Sequence, residues 1–375
     1  MKNEFLLNIA VIIGGESVEH EISLISGLQT ILNLDKKKYK VFPIYLTKDN
    51  EFIYLKNITP DYFKNNYHLN KKTNCYFKRI NKTTYLIHKL KKHKIDCLIP
   101  VVHGKGVEDG TIQALSNILK LPSTSNSILQ SSISQHKAIT KKLLKSYNIR
   151  MLPYIEIDKE QDIKKLNKIN DTFNYPLIIK PTTLGSSIGI KTAHDKNELL
   201  EAIKSAKTYD NTVIVEEKLT NFTEYNIACF SYKGTLNLSQ IEEVKSNSEF
   251  LTFDDKYLDG GLKETAKENR IIPANITESL QKEIHSFTKT IYKTLNATGI
   301  IRIDYLFDKE TNKLYFNEIN TIPGSLAFYL YKDYTFTQLL DLLIKDAMFR
   351  YNVNQNLITS FDTNILNIKD LHMKK

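Results

Sequence analysis

Long apolar runs and helical spacings alternate along the first third of the chain. NIAVIIGG (8–15), YKVFPIYLT (39–47) and IDCLIPVV (95–102) are near-continuous apolar stretches of strand length. Such runs mark strands covered on both faces. Residues 19–34 and TIQALSNILKL (111–121) instead carry apolar residues at spacings of three and four, which predicts helices with one buried face. Buried strands alternating with helices predict an α/β unit built on a parallel sheet. Residues 48–94, rich in lysine and asparagine, read as an elaboration of that unit. Its basic run HKLKKHK (88–94) reads as the exposed face of a helix.

The same alternation continues downstream. ISQHKAITKKLLKSYNI (133–149) predicts one amphipathic helix, and TFNYPLIIKPTTLGSSIGIKT (172–192) a strand, a glycine-serine loop and a second strand. A helix over 197–207 and a strand over 211–219 follow, and 224–244 reads mostly as sheet. SNSEFLTFDDKYLDGGLKE (246–264) is a polar loop, 277–296 a helix and FTQLLDLLIKDAMFRY (336–351) a last helix. The expected organisation is three α/β domains in series: 1–134, 135–219 and 220–350, with 351–375 as a tail.

The first concentrated chemistry lies in LYFNEINTIPG (314–324). Residues two apart on a strand share a face, so Glu318 and Asn320 point one way, with Phe316 expected beside them. IRIDYLF (301–307) precedes it across the polar turn DKETNK (308–313), a β-hairpin pattern. A turn centred near Thr311 sets Asp304 opposite Glu318 and Arg302 opposite Asn320. Opposed carboxylates repel, and a cation between them removes that cost. Oxygen-only ligands suit Mg²⁺ or Mn²⁺ rather than zinc. Magnesium held this way commonly shares its remaining positions with phosphate oxygens, so the hairpin asks for a nucleotide.

Composition narrows the partners. The formal charge of +10 is carried almost wholly by lysine, with arginine only at 79, 150, 270, 302 and 350. Base readers rely on arginine forks and aromatic platforms. A lysine-rich solvated surface therefore accounts for the charge, and no nucleic-acid partner is expected. Cys75, Cys97 and Cys229 are odd in number and widely spaced, which predicts no disulfide framework. The start MKNEFLLNIAVIIGG is too briefly apolar for a leader or membrane span, so a cytoplasmic protein without a membrane partner is expected.

Three loops are candidates for phosphate or substrate contact. TTLGSSIGI (182–190) follows Lys180 and offers consecutive N–H groups to an anion. Taken alone, a plain hairpin turn explains it equally. GGESVEHEIS (14–23) opens a helix with acidic residues, and its His20-Glu21 lacks the second histidine of a zinc motif. HGKGVEDGT (103–111) is glycine-rich and acidic, and a lone Lys137 is by itself a surface residue.

Together, GGESVEHEISLISG, HGKGVEDGTIQ, KPTTLGSSIGI, DDKY, GIIRIDYLF and NEINTIPG stand in one order over roughly residues 8–347. In that order they resemble the D-alanine–D-alanine ligase family of the ATP-grasp superfamily. The resemblance implies a three-domain ATP-grasp architecture, ATP and two Mg²⁺ or Mn²⁺ ions, D-alanine as substrate and, commonly for the family, a homodimer. It implies Glu19 as partner of the first substrate's ammonium, and Lys137 and Lys180 at the ATP phosphates. Ser186 and Ser187 fall in the phosphate-covering loop, Glu216 at the adenine and Glu224 at the ribose. Lys256 and Tyr257 belong to a mobile closing loop. Asp304, Glu318 and Asn320 become the metal ligands, and Arg302 with the Gly324 N–H the oxyanion donors.

Departures from the family pattern concern the second substrate more than ATP. Val107 stands where the family usually has glycine, and VEEKLTNFTE (215–224) is one residue longer than the commonest form. SLAFYLY (325–331) places Tyr329, with Ser325 earlier, where a serine usually meets the second carboxylate. Two alternatives remain open at this point. One is a ligase that joins D-alanine to D-lactate, D-serine or another amino acid. The other is a nucleotide-binding protein without ligase activity.

Overall fold

In the computed structural model, residues 6–362 are described apart from 57, 59–62, 64–72, 159–162 and 245–269. Lys256, Tyr257 and the expected polar loop 246–264 lie outside the described residues, as do residues 363–375 of the expected tail.

The first unit is β1 (Leu7–Gly14), α1 (His20–Asn33), β2 (Tyr39–Leu46), β3 (Phe52–Tyr54), β4 (Cys75–Ile80), β5 (Thr83–His88), β6 (Lys91–Lys94), β7 (Cys97–Val101) and α2 (Thr111–Ile118). Its main sheet has the order β3-β2-β1-β7. β1 pairs parallel with both β2 and β7, whereas β3 runs antiparallel to β2 at the edge. Ile9 to Ile13 are fully buried, as expected of a strand covered on both faces.

The 48–94 elaboration differs from its expected form. β4, β5 and β6 make a small antiparallel sheet, and HKLKKHK lies in β5, a turn and β6 rather than in a helix. The TTYLIH burial pattern alternates strictly, and Lys89 sits at positive φ in the turn. Period-two burial overrides the helix preference of lysine.

α3 (Ile128–Gln135) and α4 (Lys137–Lys145) replace the single helix expected over 133–149. His136 leaves the helical region (φ −96°, ψ 97°) and its Nδ1 accepts the Ile139 N–H, so it ends one helix and caps the next. β8 (Tyr154–Ile157), α5 (Ile163–Thr172), β9 (Leu177–Pro181), β10 (Lys191–Ala193), α6 (Lys196–Ala206) and β11 (Val213–Glu217) complete a second sheet of order β10-β9-β11-β8. The Asp195 carboxylate accepts two N–H groups at the start of α6.

β12 (Phe222–Tyr232), β13 (Thr235–Val244), β14 (Arg270–Ile271), α7 (Glu278–Thr294), β15 (Ile300–Asp308) and β16 (Lys313–Asn320) build the third sheet, of order β14-β13-β12-β15-β16. A 3-10 segment (Gly324–Leu330) and α8 (Phe336–Asn354) follow. Thr335 and Gln338 close a capping box at the start of α8. Its Leu339, Leu343 and Ile344 share one apolar core with the first sheet and with Ala228 and Phe230 of β12. The first and third sheets are therefore fixed to each other by packing.

The hairpin has the expected pairing, with Asp304 opposite Glu318 and Arg302 opposite Asn320. Phe316 does not lie beside Glu318. The register shifts after Asp304, so Tyr305 pairs with Phe316 and Asn317 is the extra residue. Such a bulge reverses the side-chain alternation. Phe316 joins the core with Ile303, Tyr305 and Ile319.

All three cysteines are buried and free, and no helix among the described residues is long and apolar enough to cross a membrane. His88 and His93 face each other at 3.1 Å, with Tyr54 stacked on His88. Burial, with added repulsion from lysines 40, 89 and 91, lowers both histidine pKa values. The folded state thus favours neutral rings. Their stabilising contribution is complete above the unfolded value of about 6.5 and is lost as pH falls from there through the lower folded values. Melting temperature is expected to fall between pH 7 and pH 5, with a shallower fall in His93→Phe. Identical slopes in the two proteins would remove these rings from the pH response.

Candidate active site

The three sheets meet around one cavity. Glu19, Glu108, Lys137, Ser186, Glu224, Arg302, Glu318, Asn320, Gly324 and Tyr329 are all among the residues lining it. Glu19 stands immediately before α1 and is buried, and its carboxylate accepts a hydrogen bond from Ser186 across the seam between the first and second sheets. Two glycines make that approach possible. A Cβ on Gly104 would lie 2.9 Å from Glu19 Oε2, and one on Gly185 would lie 3.3 Å from it. Gly104 also holds a φ of +92°, which disfavours any side chain there.

Lys137 emerges in the first turn of α4 because His136 breaks the helix. Its Nζ donates to Leu184 O and lies 3.1 Å from Glu318 Oε2. Lys180, at the end of β9, lies 2.7 Å from Glu216 Oε2 and donates to Asn317 Oδ1 at 3.2 Å. The bulge therefore aims Asn317 at a lysine, a contact that strict alternation would not allow. Glu216 is fully buried between Lys180 and Lys141. Burial alone would raise the Glu216 pKa, but the two ammonium groups outweigh it and hold the carboxylate well below its usual range.

Sequence reasoning missed Lys141. Its position was nonetheless readable, because Lys141 follows Ala138 by three and precedes Leu144 by three, on the buried face of α4. Glu108 was also missed. Its carboxylate accepts from Thr321 Oγ1 at 2.9 Å, Ile322 N at 2.7 Å and Gly104 N at 3.1 Å, tying the first unit to the turn after β16. Burial and the neighbouring Glu19 carboxylate push its pKa up to about 7. His103 beside it is buried and pushed down to about 4, so it is neutral at pH 7.

Across the third sheet, Glu242, Asn226, Asp304 and Glu318 occupy one row of paired positions on β13, β12, β15 and β16. Asp304 accepts two hydrogen bonds from Arg302, at 2.7 and 2.8 Å, and one from Asn320 Nδ2 at 3.0 Å. Arg302 and Asp304 thus make a bidentate pair beside the cavity. Asp304, Glu318 and Asn320 share one sheet face. Among the described residues no cluster of three or more His, Cys, Asp or Glu could hold a metal ion, so a hard cation here would rest on two carboxylates and an amide oxygen.

Ser325, Leu326 and Ala327 take consecutive left-handed conformations, which turn the chain sharply after Pro323. The turn leaves Gly324 and Tyr329 on the cavity wall. Ser325 does not line the cavity; its hydroxyl donates to Gln29 Oε1 at 2.5 Å, on α1. The Tyr329 hydroxyl lies 3.5 Å from Glu242 Oε2, and Arg270 sits 5.2 Å over its ring. Burial and Glu242 push its pKa up to about 12, which keeps it a proton donor at neutral pH. Val107, where the family usually has glycine, packs on the backbone of Gly15; a Cβ there would lie 2.7 Å from Val107 Cγ1.

Two family profiles cover most of this arrangement. The one described as D-ala D-ala ligase N-terminus matches residues 8–125, and the one described as D-ala D-ala ligase C-terminus matches residues 143–344. The chain belongs to the D-alanine–D-alanine ligase family. Among relatives, a D-alanine–D-alanine ligase of Thermosipho melanesiensis is 37% identical over 97% of this chain and 99% of its own. One from Clostridium acetobutylicum is 33% identical over 92% and 98%. Among solved structures, the VanG D-Ala:D-Ser ligase of Enterococcus faecalis superposes with a TM-score of 0.79 at 29% identity, covering 92% of this chain and 100% of that one. The ligase family thus accounts for the ATP-grasp fold and for ATP as a substrate.

Lys141 gives this member of the ligase family a sharp test. Lys141→Met leaves Glu216 buried with Lys180 as its remaining ammonium partner. Removing one partner of a buried pair costs about 3–5 kcal/mol. Chemical denaturation is expected to report a loss of that size. A loss below about 1 kcal/mol, the range of exposed pairs, would show the pair to be solvated.

Proposed function

We propose that the protein joins two molecules of D-alanine into D-alanyl-D-alanine, the dipeptide of peptidoglycan precursors, with conversion of ATP to ADP and phosphate. The observation that carries this reading is the convergence of Glu19, Lys137, Arg302, Glu318 and Gly324 on one cavity, in a chain so similar to ligases of that name. In the first step a carboxylate oxygen of D-alanine attacks the γ-phosphorus and ADP leaves, giving an acyl phosphate. In the second, the free amine of another D-alanine attacks the acyl carbon. Phosphate leaves and the amine loses a proton.

The chain's own groups fit these steps. Glu19 takes the first ammonium, held in place by Ser186. Lys137 and Lys180 face the triphosphate, with Ser186 and Ser187 covering it, and Glu216 and Glu224 serve the nucleoside side. Arg302 and the Gly324 N–H stabilise negative charge on the tetrahedral oxygen, a preorganised electrostatic role. Asp304, Glu318 and Asn320 would hold Mg²⁺ or Mn²⁺, which when bound neutralises triphosphate charge. Lys256 and Tyr257, which lie outside the described residues, take from the family resemblance the role of keeping water from the acyl phosphate. Tyr329 and the backbone at Gly324 receive the second carboxylate.

The second substrate is tested directly. Purified protein with ATP, Mg²⁺ and D-alanine is expected to release phosphate and yield the D-alanine dipeptide by mass. A product formed only with D-serine or D-lactate added would overturn the dipeptide reading. ATP binding without any ligated product would overturn ligase activity altogether.

Glu318→Gln is expected to nearly abolish turnover at low Mg²⁺ and to regain part of it at high Mg²⁺ or Mn²⁺, because one ligand charge is lost. Wild-type turnover in this variant at low Mg²⁺ would leave Glu318 as a strand-face residue only.

A further inference from the structure

The loop 103–111 reaches the second unit at a point outside the cavity lining. Lys105 stands between Gly104 and Gly106, both at positive φ. Its Nζ lies 3.2 Å from Asp210 Oδ1, in the turn between α6 and β11. The Lys105 side chain is 44% exposed and that of Asp210 only 6%. Asp210 accepts three further hydrogen bonds through Oδ2: from Thr182 Oγ1 at 2.9 Å, Thr183 N at 2.8 Å and Thr183 Oγ1 at 2.7 Å. Thr182 and Thr183 begin the loop that carries Leu184, Gly185 and Ser186 against Lys137 and Glu19.

Two bridges therefore span the seam between the first unit and this loop. Ser186 to Glu19 lies inside the cavity. Lys105 to Asp210 lies on its outer flank, and its acid anchors the root of the same loop. The division of labour is physical. Without Lys105, Asp210 keeps its three bonds to Thr182 and Thr183, so the loop root stays built while the outer tie to the first unit is lost and the Ser186–Glu19 bond remains. Without Asp210, the root itself loses its acceptor.

We propose that Lys105 is a positioning residue for ligation. Through Asp210 it latches the 182–190 loop against the wall that holds Glu19, and so sets affinity for the first amino acid more than for nucleotide. The proposal rests on the ligase reading for its substrate, but the latch itself is a matter of structure. Its loss therefore has a readout independent of activity.

The test compares wild type, Lys105→Ala, Lys105→Arg and Asp210→Asn as full chains. Hydrogen exchange is read at the 184–188 amides, and kinetics resolve the first D-alanine site at saturating ATP. Lys105→Ala is expected to speed exchange at these amides and to raise the first-site KM about two- to fivefold, the range for a partly exposed ion pair. Turnover at saturation and ATP affinity measured without D-alanine should hold, and Lys105→Arg should restore both readouts. Asp210→Asn should weaken ATP affinity as well. Unchanged exchange in Lys105→Ala, or changed exchange with an unchanged first-site KM, overturns the proposal. So does an equal loss of ATP affinity in Lys105→Ala. If wild type forms no dipeptide, the ligase reading fails while exchange still decides the latch.

Discussion

A buried site crowded with charge must neutralise itself before any substrate arrives, and the second and third units carry the pairs that do so. Glu216 sits between Lys141 and Lys180, Glu318 against Lys137, Asp304 against Arg302 and Glu242 near Arg270. An uncompensated buried ion costs several kcal/mol, so each of these groups needs its partner for the cavity to exist at all. Lys137 and Glu318 come from the second and third units, whereas the other three groupings are each completed within one unit. Docking of the second unit on the third thus completes the balance at Glu318, while the other charges are already matched within their own units.

Local backbone devices aim these charges. The helix break at His136 puts Lys137 at the start of α4, on the cavity. The bulge at Asn317 lets one strand serve two purposes, with Phe316 in the core and Asn317 at Lys180. The left-handed turn at 325–327 folds Gly324 and Tyr329 back onto the wall. Gly104 and Gly185 leave room for Glu19, where even a methyl group would crowd the carboxylate. Each device costs backbone regularity, and the packing and hydrogen bonds around it hold it in place.

Much of this was legible in the sequence. The pairing of Asp304 with Glu318 was expected from a turn centred near Thr311, although the turn itself pairs Asp308 with Lys313 and the bulge at Asn317 supplies the remaining one-residue shift. Six ordered motifs pointed to the family. Phe316 was misplaced because strict alternation was assumed. The signal was there: apolar residues fall at 314 and 316, then at 319, a change of parity that a bulge explains. The β5–β6 hairpin was hidden because lysine content suggested a helix, while burial against Phe42 and Tyr54 decided for strand. Lys141 looked like one more lysine among many. Its worth depends on Glu216, which is 75 residues away in the chain and near only in the fold.

If self-neutralisation governs the site, nucleotide and divalent cation must bind as exchange partners. Lys137 can release Glu318 when a triphosphate takes its charge, which frees the carboxylate for a cation. The most direct measurement is calorimetric titration of Mg²⁺ into the protein with and without a non-hydrolysable ATP analogue, corrected for Mg²⁺ binding to the analogue itself. Strong positive coupling is expected, with weak Mg²⁺ binding to the free protein and much tighter binding to the nucleotide complex. By linkage, the analogue's affinity should rise by the same factor. Equal Mg²⁺ affinity in the two titrations would contradict the exchange and leave the internal ion pairs as scaffolding alone.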